Sequence, residues 1–130
     1  MSAYQAAGLW TALLILLMVI LSVRVMLARR THRVSLGDGG LEPMTVLTRS
    51  FGNAAEYTPL AIGALILLAA LGSTATEVHA IGVTFFVGRL VHPLGLTMKA
   101  PNWARIVGMM LTWLPLIAAS VLLLMAVFAV

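Results

Sequence analysis

The sequence has no cysteine and few charged residues: only 9% of its 130 residues are charged. The lack of cysteine excludes a disulfide framework, a thiolate metal site and a cysteine nucleophile, so any thiol chemistry must use the sulfur of a substrate. Asp38 is the only aspartate and lies in a glycine-rich loop, which argues against a serine–histidine–aspartate triad. The three histidines, His32, His79 and His92, are far apart without metal-ligand spacing, and no metal site is predicted.

Apolar residues dominate instead, at 62% of the chain with a mean hydropathy of +1.07. Soluble domains are about 45–50% apolar and about 25% charged, so the composition indicates an all-α integral membrane protein. A bilayer core needs roughly 20 apolar residues per helix. We therefore predict a single four-helix membrane domain over residues 1–130. The predicted spans are residues 6–28, 44–72, 78–98 and 103–130.

Basic residues concentrate in the first and third connections between these spans, whereas the short second connection, STATEV, has none. By the positive-inside rule, the basic loops face the cytoplasm and both termini face away from it. The net charge of +4 then follows from topology and attraction to anionic lipid headgroups, and indicates no nucleic-acid partner. The basic residues at these connections are Arg24, Arg29, Arg30, Arg33, Lys99 and Arg105.

The second span contains an unusual polar motif, RSFGNAAEYTP, at residues 49–59. On a helix, Arg49, Asn53 and Glu56 fall on one stripe, with Tyr57 beside it. Arg49 and Glu56 are about 10 Å apart along the axis, too far for an easy direct bridge. Asn53 could relay between them, or each could meet another charge, including one on a zwitterionic ligand. Alternatively, both side chains reach the membrane interface and only support helix packing.

Two prolines leave backbone carbonyls without their helical hydrogen bonds in the middle spans. Pro59 cannot donate a hydrogen bond to the carbonyl of Ala55, and Pro93 frees the carbonyl of Arg89 in the same way. Arg89 shares a helix face with His92 in the third span. Because an ionisable residue within a membrane span is by default a functional hypothesis, the second and third spans are predicted to hold a ligand site.

These residues resemble the MAPEG family, the membrane-associated proteins in eicosanoid and glutathione metabolism. RSFGNAAEYTP is similar to the family's second-helix signature, and ARRTHRVS is similar to a basic segment after the first helix. GRLVHPLGL stands where the family has an arginine-led third-helix motif, and GDGG resembles bacterial members. The resemblance covers essentially the whole chain. It implies a four-helix trimer with glutathione held between subunits near the cytoplasmic side, in the inner membrane if the protein is bacterial.

The resemblance also implies the chemistry of the site. The arginines suit the two carboxylates of glutathione, and Glu56 suits its ammonium group. An arginine near the start of the fourth helix would stabilise the thiolate, since a neighbouring cation favours the charged form of an acid. Arg105 is the candidate for this catalytic role, with Arg29 and Arg89 as alternatives. The predicted glutathione-binding residues are Arg29, Arg49, Asn53, Glu56, Tyr57, Arg89 and His92.

The sequence departs from the animal enzymes of the family at two third-helix tyrosines, which are replaced here by His92 and Leu96.

Two functions remain open. The first is an enzyme that conjugates glutathione to lipophilic electrophiles or reduces lipid hydroperoxides, with the hydrophobic substrate arriving from the bilayer. The second is a non-catalytic scaffold that binds lipid or glutathione. The complete second-helix motif favours glutathione binding, and the lack of an inverted repeat argues against a transporter.

Overall fold

The fold is an all-α bundle of four helices, seen in a computed structural model that describes residues 1–128. Each helix is long and apolar enough to cross a membrane, which confirms the prediction of an all-α membrane protein with four spans. The last two residues of the predicted fourth span, 129–130, lie outside the described part of the chain. The helices are α1 (Ala3–His32), α2 (Glu42–Ala70), α3 (Ala75–Thr97) and α4 (Trp103–Phe128).

Side-chain caps determine where α1 and α3 begin, and both helices begin before the apolar segments that hydropathy identifies. At the start of α1, the Ser2 hydroxyl accepts from the Gln5 amide at 3.2 Å, and the Gln5 side chain accepts from the Ser2 amide at 2.8 Å. Thr74 and Glu77 form the same reciprocal capping box at the start of α3. Because these polar pairs satisfy the free amides of the first turn, both helices start three residues before their predicted spans.

Asp38 closes the glycine-rich loop between α1 and α2. Its carboxylate accepts hydrogen bonds from the Gly40 amide at 3.0 Å and from the Thr45 hydroxyl at 2.7 Å. These bonds, that from Gly40 first, hold the pKa of the Asp38 carboxyl below its ordinary value. Gly40 has a φ of 70°, a backbone conformation that favours glycine. The loop is thereby fastened to the first turn of α2.

Glycines let α3 and α4 approach backbone to backbone. A methyl group at Gly108 of α4 would lie 2.7 Å from the backbone nitrogen and Cα of His92 on α3. A methyl group at Gly88 would lie 2.8 Å from the carbonyl carbon of Leu111, and Gly95 meets the backbone of α4 in the same way. Small residues at helix interfaces are a common basis of packing in membranes. The close approach fixes the rotation of α3 relative to α4.

Trp10 joins α1 to α3 near the end of the bundle that carries the N-terminus. Its indole nitrogen donates to Nδ1 of His79 at 3.0 Å, and its ring covers Gly82 so closely that no Cβ would fit there. Trp10 is therefore a packing residue between α1 and α3. His79 is the half-buried acceptor of this contact.

Candidate functional site

The centre of the polar site is Arg89, a residue of α3 that is only 1% exposed. Its Nη1 donates to Oδ1 of Asn53 on α2 at 2.7 Å. Its Nη2 donates to the hydroxyl of Thr112 on α4, and to the carbonyl of Gly108 at 3.4 Å. One guanidinium group therefore connects three helices in the interior of the bundle.

Two aromatic rings complete the surroundings of Arg89. The guanidinium carbon lies 5.6 Å from the centre of the Tyr57 ring and 5.7 Å from that of Phe85, within the range of cation–π attraction. The Tyr57 hydroxyl accepts a hydrogen bond from Nε1 of Trp113 at 3.3 Å. The oxygen acceptors and rings around Arg89 are all uncharged, so its positive charge is stabilised without a carboxylate.

The two charges of the motif lie at the outer edge of the face of α2 that carries Asn53, about 40° (Arg49) and 60° (Glu56) around the helix from it. Arg49 and Glu56 are exposed in the single protomer, and Glu56 is the central residue of α2 (Glu42–Ala70). Within residues 1–128, the interhelical hydrogen bonds of the motif are made by Asn53 and Tyr57, not by Arg49 or Glu56. Asn53 is hydrogen-bonded to neither charge in the described part of the chain, because its side-chain oxygen accepts from Arg89 of α3 instead.

His92 lies one turn beyond Arg89 and is 7% exposed, packed against Gly108 of α4. The backbone nitrogen and Cγ of Arg105 on α4 lie against Gly95, one turn further along α3. Arg89 and Arg105 are therefore both placed along the contact between α3 and α4. Cations favour an anionic ligand, such as a carboxylate or a thiolate.

Asn102 positions Arg105 at the start of α4. Its side-chain oxygen accepts from the Arg105 amide at 3.0 Å, and its side-chain nitrogen donates to the carbonyl of Gly95 at 2.9 Å. Asparagine is a favoured helix-capping residue. Its position three residues before Arg105 indicates a helix cap, which sequence reasoning missed. The Arg105 side chain itself is exposed at the surface of the bundle.

Sequence reasoning also missed Thr112 and Gly108, which accept hydrogen bonds from Arg89. The spacing of small residues along α4 indicates that these positions face another helix. Ala104, Gly108 and Thr112 recur every fourth residue, and all three are buried. Such a small-residue pattern marks the helix face that contacts a neighbour, and a hydroxyl in that face is placed to bond across the interface.

Arg29 is the one predicted residue that a single protomer does not bring to this site. It lies at the end of α1 and lines a cavity with Phe51 of α2. At 100° per residue, Phe51 and Arg49 are about 160° apart around the helix, so they face opposite sides of α2. Nη1 of Arg29 is buried and has no hydrogen-bond partner among residues 1–128.

Comparison with known proteins identifies a family: the model of the MAPEG family matches residues 7–125. The chain belongs to the MAPEG family. It is similar to the inner membrane protein YecN of Escherichia coli K12, with 34% identity over 113 residues, which are 87% of this chain and 86% of YecN. YecN of an Escherichia coli O6:H1 strain matches equally well. The resemblance inferred from the sequence motifs is thereby confirmed, and this MAPEG protein is a membrane protein.

The acidic and histidine side chains of this MAPEG protein are dispersed in the structure as they are in the sequence. Within residues 1–128, no three of them come together in a group that could hold a metal ion.

Proposed function

We propose that this MAPEG protein is a membrane-bound glutathione-dependent transferase or peroxidase, acting on lipophilic electrophiles or lipid hydroperoxides. The observation that carries the proposal is the pair of opposite charges, Arg49 and Glu56, exposed on one face of α2 beside the buried Arg89 network. By analogy with YecN, the protein would lie in an inner membrane. The positive-inside rule would place both termini on the non-cytoplasmic side.

Glu56 is exposed in the middle of a membrane helix and therefore requires polar or protein surroundings. A carboxylate at the centre of a membrane helix costs about 2.5–3.5 kcal/mol even on the more lenient scales, and such residues usually face a bundle interior or a polar cavity. A second copy of the chain packed on this face of α2 would remove Glu56 from lipid. In the homotrimer that we propose, the thiol site would lie between subunits. Arg29 would then join it only from a neighbouring protomer.

Glutathione matches the spacing of the two charges. Arg49 and Glu56 are seven residues apart, about 10 Å along the helix, and an extended three-residue chain spans about 10 Å. The ammonium group of glutathione at Glu56 and the carboxylate of its far end at Arg49 would pair both charges at once. Charge-assisted hydrogen bonds of this kind are about twice as strong as neutral ones. This pairing gives the motif a purpose that helix packing does not supply.

Arg105 is the proposed stabiliser of the glutathione thiolate, because a cation near a thiol favours its ionised form. In the transferase reaction, the sulfur lone pair forms a bond to the electrophilic carbon while the leaving group departs with its electron pair. In the peroxidase reaction, the thiolate attacks a peroxide oxygen and releases an alcohol after protonation. A second glutathione thiol then displaces water from the resulting sulfenic acid to form a disulfide.

Calorimetric titration of the detergent-purified protein with glutathione tests the proposal. We expect saturable binding that Glu56→Gln abolishes. Glu42→Gln is the matched control, since it removes another exposed carboxylate, at the start of α2. Absence of saturable binding to the unmodified protein would overturn the proposal. Turnover with an aromatic electrophile and with a lipid hydroperoxide would then be measured on the binding-competent protein.

One observation favours the second candidate, a non-catalytic scaffold that binds lipid or glutathione. His92 and Leu96 replace two tyrosines of the animal enzymes, and His92 is buried against α4. The site therefore offers fewer hydroxyl groups to a reacting sulfur or oxygen. Glutathione binding without turnover of either substrate class would favour the scaffold.

A further inference from the structure

Within residues 1–128, one side-chain hydrogen bond joins α1 to another helix: Nε1 of Trp10 donates to Nδ1 of His79 on α3 at 3.0 Å. This contact lies inside one protomer, about 28 Å along α1 from Arg29 at 1.5 Å per residue. The proposed glutathione site uses neither of its two residues. The residues that α1 buries elsewhere are apolar: Ala6, Ala7, Leu14 and Leu21.

Gly82 allows the ring of Trp10 to lie directly on α3. An added Cβ at Gly82 would overlap Cγ and Cδ1 of the indole. The ring also packs beside Phe86, one turn further along α3, with 6.0 Å between the two ring centres. Packing therefore fixes the orientation of the indole, and in this orientation its N–H is directed at the imidazole of His79.

The hydrogen bond requires a neutral His79. An indole N–H can only donate, so Nδ1 is the acceptor and the proton of the neutral imidazole is on Nε2. In a protonated imidazole both ring nitrogens are donors, so rotation of the ring would not restore an acceptor. The two rings are nearly perpendicular, at 84°, and the N–H edge of the indole is directed at Nδ1. The indole therefore does not offer its face for a cation–π attraction that would replace the lost bond.

No carboxylate in the described part of the chain is placed to hold a protonated His79 against Trp10. Residues 58–73 and 106–128, on the parts of α2 and α4 toward this end of the bundle, contain no ionisable side chain. Glu77 is two residues from His79 on the same helix, so the two side chains do not face each other. Its carboxylate accepts instead from the amide and hydroxyl of Thr74, at 2.7 and 2.9 Å. The other ionisable groups at this end are the amino group of Met1 and the phenol of Tyr4, both on exposed residues.

We propose that the Trp10–His79 contact is a proton-sensitive switch, in which neutral His79 holds the start of α1 against α3 and protonated His79 releases it. Histidine is the side chain that ordinarily changes charge between about pH 5 and 8. His79 is half-buried and close to the exposed Thr74 that caps α3, so protons reach it from water. After protonation, two donors face each other, and α1 moves away from α3 so that water can accept from both. The proposal depends on neither glutathione binding nor the orientation of the protein in the membrane.

Proton NMR of the indole N–H groups in detergent micelles, recorded from about pH 8 to about pH 5, tests the titration. We expect the Trp10 signal to move upfield in acid, because its hydrogen bond is lost. The signal of Trp113 is the internal control, since this indole donates to the hydroxyl of Tyr57 instead of an imidazole. His79→Gln supplies an acceptor that gains no proton and should abolish the response, whereas His32→Gln, at an exposed histidine, should retain it. A Trp10 signal that stays in place, or that moves equally in His79→Gln, would overturn the proposal.

Hydrogen exchange of backbone amides, corrected for intrinsic exchange, tests the release of α1. We expect residues 3–14 to exchange about threefold faster in acid, the effect of one interhelical hydrogen bond in a membrane protein, while residues 18–30 are unchanged. His79→Phe offers no acceptor and should exchange fast at both pH values, whereas His79→Gln should exchange slowly at both. If the Trp10 signal responds to pH but residues 3–14 exchange equally at both values, the contact does not hold α1 and the switch is refuted.

Discussion

Arg89 of α3 donates a 2.7 Å hydrogen bond to Asn53 of α2, so a residue of the second-helix motif is fixed in place by a different helix. The motif therefore has two structural parts. Asn53 and Tyr57 face the bundle and contact Arg89, whereas Arg49 and Glu56 face outward. This division explains how one short segment can stabilise the protomer and still present two charges to a ligand.

Replacing Arg89 should destabilise the bundle. Arg89→Gln cannot reach Asn53, Thr112 and Gly108 together, and interhelical hydrogen bonds in membranes average about 0.6 kcal/mol each. We expect a loss of about 2 kcal/mol, seen as a lower midpoint of thermal unfolding in detergent. Arg24→Gln, which removes an exposed arginine, should unfold like the unmodified protein. An unchanged midpoint for Arg89→Gln would show that the network contributes nothing to stability.

Adding one methyl group between α3 and α4 should also destabilise the protein. In Gly108→Ala, the new Cβ would lie 2.7 Å from backbone atoms of His92, which cannot move independently of α3. Overpacking of this kind costs about 1–3 kcal/mol. Gly8→Ala, whose Cβ meets no atom within 4 Å, should be neutral or stabilising. Comparison of the two unfolding midpoints checks the prediction, which fails if the two variants behave alike.

Replacement of Arg105 should separate catalysis from binding, if the proposed enzyme activity is present. We expect Arg105→Ala to lower kcat while glutathione binding persists, with the pH–rate profile displaced to higher pH because the bound thiol ionises less readily. Arg105→Lys should restore part of the activity. Lys99→Ala removes another exposed cation from the same connection and serves as the control. A profile that keeps its position in Arg105→Ala would assign the thiolate to another group.

The α1–α2 loop should weaken in acid because the pKa of Asp38 is lowered in the folded protein by its bonds to Gly40 and Thr45. A lowered folded pKa means that the stabilisation is fully present above the unfolded value of about 4 and is lost as the pH falls through the folded value. Hydrogen exchange of the Gly40 amide, compared at several pH values with correction for intrinsic exchange, should show this loss. Asp38→Asn should abolish the dependence, and Glu42→Gln should retain it.

The sequence by itself determined the class of this protein. Four apolar segments of sufficient length leave membrane helices as the physical solution, because a bilayer core offers no water to unsatisfied backbone groups. The motif at residues 49–59 and the third-helix motif were sufficient to indicate the MAPEG family, which the family model confirms. Helical periodicity also placed Arg49 and Glu56 on one face of α2, since that relationship is internal to one helix.

Only the tertiary structure decided which helix each polar residue meets. Arg89 is buried and donates to the side-chain oxygen of Asn53. This contact depends on how α3 is rotated against its neighbours, and the close contacts at Gly88 and Gly108 fix that rotation against α4. The separation of Arg29 from the charged face of α2 has the same origin. Periodicity describes the faces of a single helix, but partners on different helices depend on packing, and packing depends on small residues distributed along the whole chain.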